Sequence, residues 1–122
     1  EPVSIRLKIK SSGTIKDFVF GVGIFNADGI CCYGTNTQIE EFTPVSLGGD
    51  GEVKLAFDRL DLVEGTYFVD VAAHQRDGYP FDYHRALHTF RVNSRIKDTG
   101  IYRPNHRWEF SSNIVMKPPE DE

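Results

Sequence analysis

An all-β antiparallel sandwich is the fold class this sequence predicts, and three observations carry the prediction. Apolar and polar residues alternate with a period of two along most of the chain, as in strands with one buried face. Gly, Pro, Asn and Asp clusters break the pattern about every ten residues, the turn spacing of sandwich domains. No stretch sustains the 3.6-residue period of a helix.

The strands follow in order. Residues 3–9 alternate Val3, Ile5, Leu7 and Ile9 with Ser4, Arg6 and Lys8, and Ser11-Ser12-Gly13 ends the run. Residues 18–25 read FVFGVGIF, apolar on both faces, with Gly21 and Gly23 leaving room for close backbone approach. Asn26-Ala27-Asp28-Gly29 is a hairpin signal, since Asp-Gly supplies the positive φ of a tight turn. A third strand is expected over 30–34. Residues 38–50 read as a loop broken by Pro44 and Gly48-Gly49-Asp50-Gly51. A fourth strand sets Val53, Leu55 and Phe57 on one face. The fifth, 66–74, turns Tyr67, Val69, Val71 and Ala73 one way and Phe68, Asp70, Ala72 and His74 the other. After the turn Arg76-Asp77-Gly78-Tyr79-Pro80, a sixth strand is expected over 83–92 and a short last one near 107–110.

One local motif makes the sandwich immunoglobulin-like. Leu62-Val63-Glu64-Gly65-Thr66-Tyr67 places a Tyr two residues after a Gly where a strand begins. This is the pattern of a tyrosine corner, whose phenol bonds back to the turn backbone; an ordinary core tyrosine is the other reading. The expected organisation is one domain over residues 1–117 and a flexible acidic tail over 118–122.

Composition narrows the function. Nine Phe, five Tyr and one Trp in 122 residues are too many aromatics for a solvated tail. Apolar runs of only a few residues exclude a membrane span. With 14 Lys+Arg against 18 Asp+Glu there is no cation excess for nucleic acid, so no nucleic-acid partner is expected. Cys31 and Cys32 are neighbours that a strand points to opposite faces, which reads as two reduced thiols in a reducing compartment. The absence of an Asn-x-Ser/Thr sequon agrees with a cytoplasmic protein. The chain opens on Glu1 without a signal-peptide pattern, as expected for a fragment of a longer protein whose catalytic machinery would precede it.

Enzyme signatures are missing. There is no Gly-x-x-x-x-Gly-Lys-Ser/Thr, no Gly-x-Gly-x-x-Gly opening a helix, no His-Glu-x-x-His and no Gly-x-Ser-x-Gly. His84 and His88 share a strand face with Asp82, and His74 could join from a neighbouring strand, but a zinc site needs three or four convergent ligands and no second ligand pair is visible. Asp70, Asp77 and Asp82 could supply a glycosidase pair only at the right separation. No metal, cofactor or catalytic residue is therefore assigned. What remains is a face of aromatic and hydrogen-bonding groups: residues 74–91 read HQRDGYPFDYHRALHTFR, followed by Tyr102, His106, Arg107 and Trp108. Sugars bind by stacking their apolar faces on such rings while Asp, Asn, Arg and His reach the hydroxyls, on a platform without a strong net field. The other reading divides the same residues between core and a solvated face.

The run Phe20-Gly21-Val22-Gly23-Ile24-Phe25, then Asp28-Gly29, then Tyr33-Gly34-Thr35-Asn36-Thr37, resembles the C-terminal domain of Wzt-type proteins. So do Leu62 with Gly65-Thr66-Tyr67-Phe68-Val69-Asp70-Val71, and Phe81-Asp82-Tyr83 leading to Phe90-Arg91-Val92. The resemblance spans about residues 1 to 110. Those proteins are the ATP-binding subunits of ABC transporters that export O-antigen and related polysaccharides. The resemblance implies a cytoplasmic, immunoglobulin-like domain that recognises the exported polysaccharide, works with nucleotide-binding and membrane subunits, and does not itself enter the membrane. The family's domain begins one strand earlier, so an exposed sheet edge and a homodimer formed by strand pairing or exchange are expected. Cys31-Cys32 replace apolar residues of the family pattern, and no function carries over to them. Gly34-Thr35-Asn36-Thr37 is expected to be structural, with Asn36 satisfying a turn and the Thr hydroxyls capping strand ends. The residues expected to bind carbohydrate are Phe68, Asp70, His74, Tyr83, His84, His88 and Trp108.

Overall fold

The computed structural model describes residues 2–11 and 13–119, apart from the side chains of Tyr83, His84, Ala86 and Leu87. Eight strands are formed among the described residues: β1 (Val3–Ile9), β2 (Thr14–Ile15), β3 (Val19–Asn26), β4 (Cys31–Asn36), β5 (Leu47–Gly48), β6 (Gly51–Phe57), β7 (Gly65–His74) and β8 (Pro80–Val92). All pairings are antiparallel. One sheet has the order β4-β3-β7-β8, a second is β1-β6, and β2-β5 is a short ribbon. The chain is thus an immunoglobulin-like antiparallel β-sandwich, as the alternation predicts.

The core is where the inward residues of β1 and β6 meet those of β3 and β7. Leu7, Val69 and Val71 are buried together, and Ile5, Ile9, Val22, Val53 and Phe90 pack around them. Register makes this possible, because Val22 lies opposite Val71 and Ile24 opposite Val69, so β-branched side chains stack on one face. Tyr33 and Phe57 meet edge to face at 6.2 Å and tie β4 to β6.

The tyrosine corner forms. Tyr67 is buried, and its Oη donates to the Val63 carbonyl at 2.7 Å. Its ring packs on Gly65, where an added Cβ would lie 3.6 Å from Cε2, and stacks on Phe90 at 5.5 Å. Burial pushes the phenol's pKa up, so it stays a donor. The chain returns to this corner at its far end: Val63 N–H donates to Ile101 O and Arg103 N–H to Asp61 O, both at 2.8 Å.

The turns are built as their residues dictate. In the β3–β4 hairpin, Asn26 Oδ1 accepts from the N–H groups of Asp28 and Ile30, and Gly29 adopts φ +80°. In the β7–β8 turn, Gln75 N–H donates to Tyr79 O at 2.8 Å, and Asp17 Oδ1 accepts from Arg76 N–H and Nε.

Two expectations need correction. No strand forms near 107–110; this segment makes only local bonds, Arg107 Nε to Glu109 at 2.8 Å and His106 Nδ1 to Pro104 O at 2.7 Å. Period-two alternation makes a strand only where a neighbouring edge accepts its hydrogen bonds. The loop over 38–50 is also not wholly irregular, since Leu47 and Gly48 pair with Ile15 and Thr14. Residues 118–119 carry no regular structure, and the rest of the expected tail, 120–122, lies outside the described residues.

Candidate functional site

The outward face of β4-β3-β7-β8 carries the site. Across β4, β3 and β7, register brings small residues together: Gly23 lies opposite Gly34 and Asp70, and Gly21 opposite Asn36 and Ala72. Without side chains on Gly21, Gly23 and Gly34 the sheet's outer surface sinks to its backbone, and two hollows open there.

One hollow, of about 460 Å³, is lined by Phe25, Asn26, Ala27, Gly29, Phe68, Asp70 and Arg85. The other, of about 340 Å³, lies over the glycines and includes Phe25, Cys31, Asn36, Ile39, Asp70, Ala72 and His74. Phe25 and Asp70 border both, so the two form one continuous groove. Gly23 sets the position of Phe25, because a Cβ there would lie 2.9 Å from Phe25 Cε1. The ring therefore rests over the glycine and borders both hollows.

Polar groups border this apolar floor. Asp70 is only 6% exposed. His74 Nδ1 bonds the Gln75 carbonyl at 2.6 Å, which fixes Nδ1 as the donor and leaves Nε2 for another partner. Asn36 Oδ1 accepts from Ile39 N–H at 2.6 Å, leaving its amide nitrogen uncommitted to that turn. The Gly-Thr-Asn-Thr motif is structural in the way expected: Thr37 Oγ1 accepts from Phe20 N–H at 3.2 Å, and Thr35 Oγ1 donates to Glu40 Oε2 at 2.8 Å. Asn36 has a second role, because its Cβ comes within 3.4 Å of where a Gly21 side chain would start.

The seven residues expected to bind sugar do not all lie together. Phe68, Asp70 and His74 share the outward row of β7 and line the groove. Tyr83 lies opposite Ala72, in register with that row, and His84 lies opposite Val71, in register with the core; both side chains lie outside the described residues. His88 is exposed and opposite Val69, again the core register. Trp108 is 79% exposed, stacks on Phe110 at 6.4 Å, and borders neither hollow. Sequence reasoning missed Phe25, Asn36, Ile39 and Arg85. Glycines at 21, 23 and 34 were the signal for the first two, since they mark where the outer face is bare.

The other constellations do not gather. Asp70 is in the outward row of β7, Asp82 lies opposite Ala73 in the inward register, and Asp77 accepts from Tyr79 N–H at 2.9 Å within its turn. Among the described residues no three His, Cys, Asp or Glu side chains converge as a metal site. Cys31 is exposed beside the groove, while burial and the neighbouring Cys31 push the Cys32 thiol's pKa up. Among the described residues no helix is long and apolar enough to cross a membrane.

The fold and its hollowed outer sheet face define a class of antiparallel β-sandwich domain, and residues 1–104 say which: the chain belongs to the Wzt C-terminal domain family. It is 29% identical over 108 residues to the O-antigen export system ATP-binding protein RfbB of Myxococcus xanthus, covering 88% of this chain and 24% of that protein. The chain thus spans about a quarter of that relative's length. The crystal structure of the C-terminal domain of a Wzt protein superposes with a TM-score of 0.80 at 19% identity, over 91% of this chain and 71% of that one.

Proposed function

We propose that this chain is a non-catalytic carbohydrate-binding domain that recognises an O-antigen-type polysaccharide for export by an ABC transporter. One observation carries the reading: the groove whose glycine floor is flanked by Phe25, Phe68, Asp70, His74 and Asn36. A pyranose ring needs an apolar surface for its C–H face and convergent acceptors and donors for its hydroxyls, and this groove supplies both. Binding is weak, because sugar–protein hydrogen bonds replace sugar–water ones at little net gain. The RfbB relative supports a role in O-antigen export, with the domain at the cytoplasmic face beside nucleotide-binding and membrane subunits.

The test is a titration with purified O-polysaccharide followed by amide shifts. Saturable shifts confined to β3, β4 and β7, abolished by Phe68→Ala, are expected. Full saturation of the titration range with no outward-face shift overturns the reading.

A second reading, a protein-interaction or dimerisation domain without sugar binding, is favoured by the apolar chain after the sandwich. Trp108, Phe110, Ile114, Val115 and Met116 are all exposed, Val115 by 90%. A homodimer formed by strand pairing or exchange would cover them. Light scattering at high micromolar concentration is expected to give twice the monomer mass; a monomer alone removes the dimer.

A further inference from the structure

Arg85 stands apart from the other arginines of the outer sheet and its surroundings. Arg59, Arg76, Arg91, Arg103 and Arg107 each hold a carboxylate, on Asp61, Asp17, Glu64, Asp98 and Glu109 respectively. Arg85 has neither a hydrogen bond nor an ion pair among the described residues, and it is exposed at the end of the groove that Phe25 and Phe68 also line. Among the described residues Arg6 likewise has no carboxylate, but it belongs to β1 in the other sheet.

Arg85 comes after His84 and falls in the outward row of β8, at the point where the strand becomes irregular. His88 lies opposite Val69 and His84 opposite Val71, so residues 85–87 face the single residue Asp70. Arg85 opens this irregular stretch and lines the hollow floored from β3 and β7. A guanidinium left without a protein carboxylate is a ready donor fork for a ligand's anionic oxygens. Asp70 borders both hollows and its carboxylate disfavours an anion beside it, so a charged substituent is directed to the Arg85 end.

We propose that Arg85 selects glycans bearing an anionic substituent, a carboxylate or a phosphate, on the sugar stacked against Phe25 and Phe68. This rests on the carbohydrate reading above and narrows its substrate class. The whole chain's net charge of −4 describes its average field, whereas selection is made by one local cation.

The experiment compares four probes by amide shifts on the whole chain: methyl glucoside, glucuronate, glucose 6-phosphate and inorganic phosphate alone. An acidic sugar is expected to bind about five- to tenfold more tightly than the neutral one, with the preference shrinking as salt rises. Which acidic sugar leads distinguishes carboxylate from phosphate. Arg85→Gln is expected to abolish the preference with the melting temperature unchanged, and Arg85→Lys to retain part of it. Equal binding of acidic and neutral sugars, or a preference that survives Arg85→Gln, overturns the inference and leaves the carbohydrate reading standing. Inorganic phosphate binding as tightly as the acidic sugars also overturns it, by showing an anion site independent of sugar. No groove shift with any sugar overturns both.

Discussion

The two faces of strands β3 and β7 are made from the same stretch of chain and do opposite work. Inward, Val22, Ile24, Val69 and Val71 are stiff, apolar and interlocked, and Ile24 is 1% exposed. Outward, Gly21, Gly23 and Ala72 leave the backbone bare while Phe25, Phe68, Asp70 and His74 stand around it. Every second residue therefore builds the core, and the residues between them line the groove. The difference teaches that a change on one face should be nearly silent on the other, and that claim can be broken.

The largest expected effect is on the inward face. Ile24→Ala removes a fully buried side chain and should cost about 2–5 kcal/mol of unfolding free energy, read by urea denaturation. The molecules that remain folded should bind sugar as before. Next is Tyr67→Phe, which strands the buried Val63 carbonyl and should cost about 1–3 kcal/mol, again without changing the groove.

The complementary test lies outward. Gly23→Ala places a Cβ against Phe25 and displaces the ring, so sugar affinity should fall about severalfold while the denaturation midpoint barely moves. A large loss of stability in this variant would mean that the outer face helps hold the fold. The smallest effect is acid dependence. The Lys97 ammonium, followed by the Ser94 N–H, holds the Glu64 carboxyl below its ordinary 4.5. A carboxylate depressed in the fold contributes stability above its unfolded pKa and loses it as pH falls through the folded value. Glu64→Gln should therefore flatten the melting-temperature profile only below about pH 5, and only slightly because the group is solvated.

Legibility followed the same division. The core was readable because burial imposes period two: Leu7, Val69 and Val71 sit where alternation puts them, and Tyr67 makes the bond its distance from Gly65 implies. The groove was half readable. Phe68, Asp70 and His74 came from the strand face alone, whereas Phe25, Asn36 and Arg85 depend on register between strands and on a bulge. Neither is encoded in local spacing. Trp108 is an aromatic beside polar neighbours in the sequence, but a side chain joins a site only where the backbone delivers it, and residues 107–110 have no strand partner to do so.

The irregularity in β8 has a consequence beyond recognition. This strand is thirteen residues long and lies at the edge of its sheet, with one flank of backbone donors and acceptors left for solvent. An unbroken edge of that length is a template for open-ended stacking of chains. The bulge at 85–87 divides it into two short runs that no straight incoming strand can match at once. The irregularity that begins at Arg85 thus blunts this edge, and straightening it by deletion within 85–87 should show first as lost solubility.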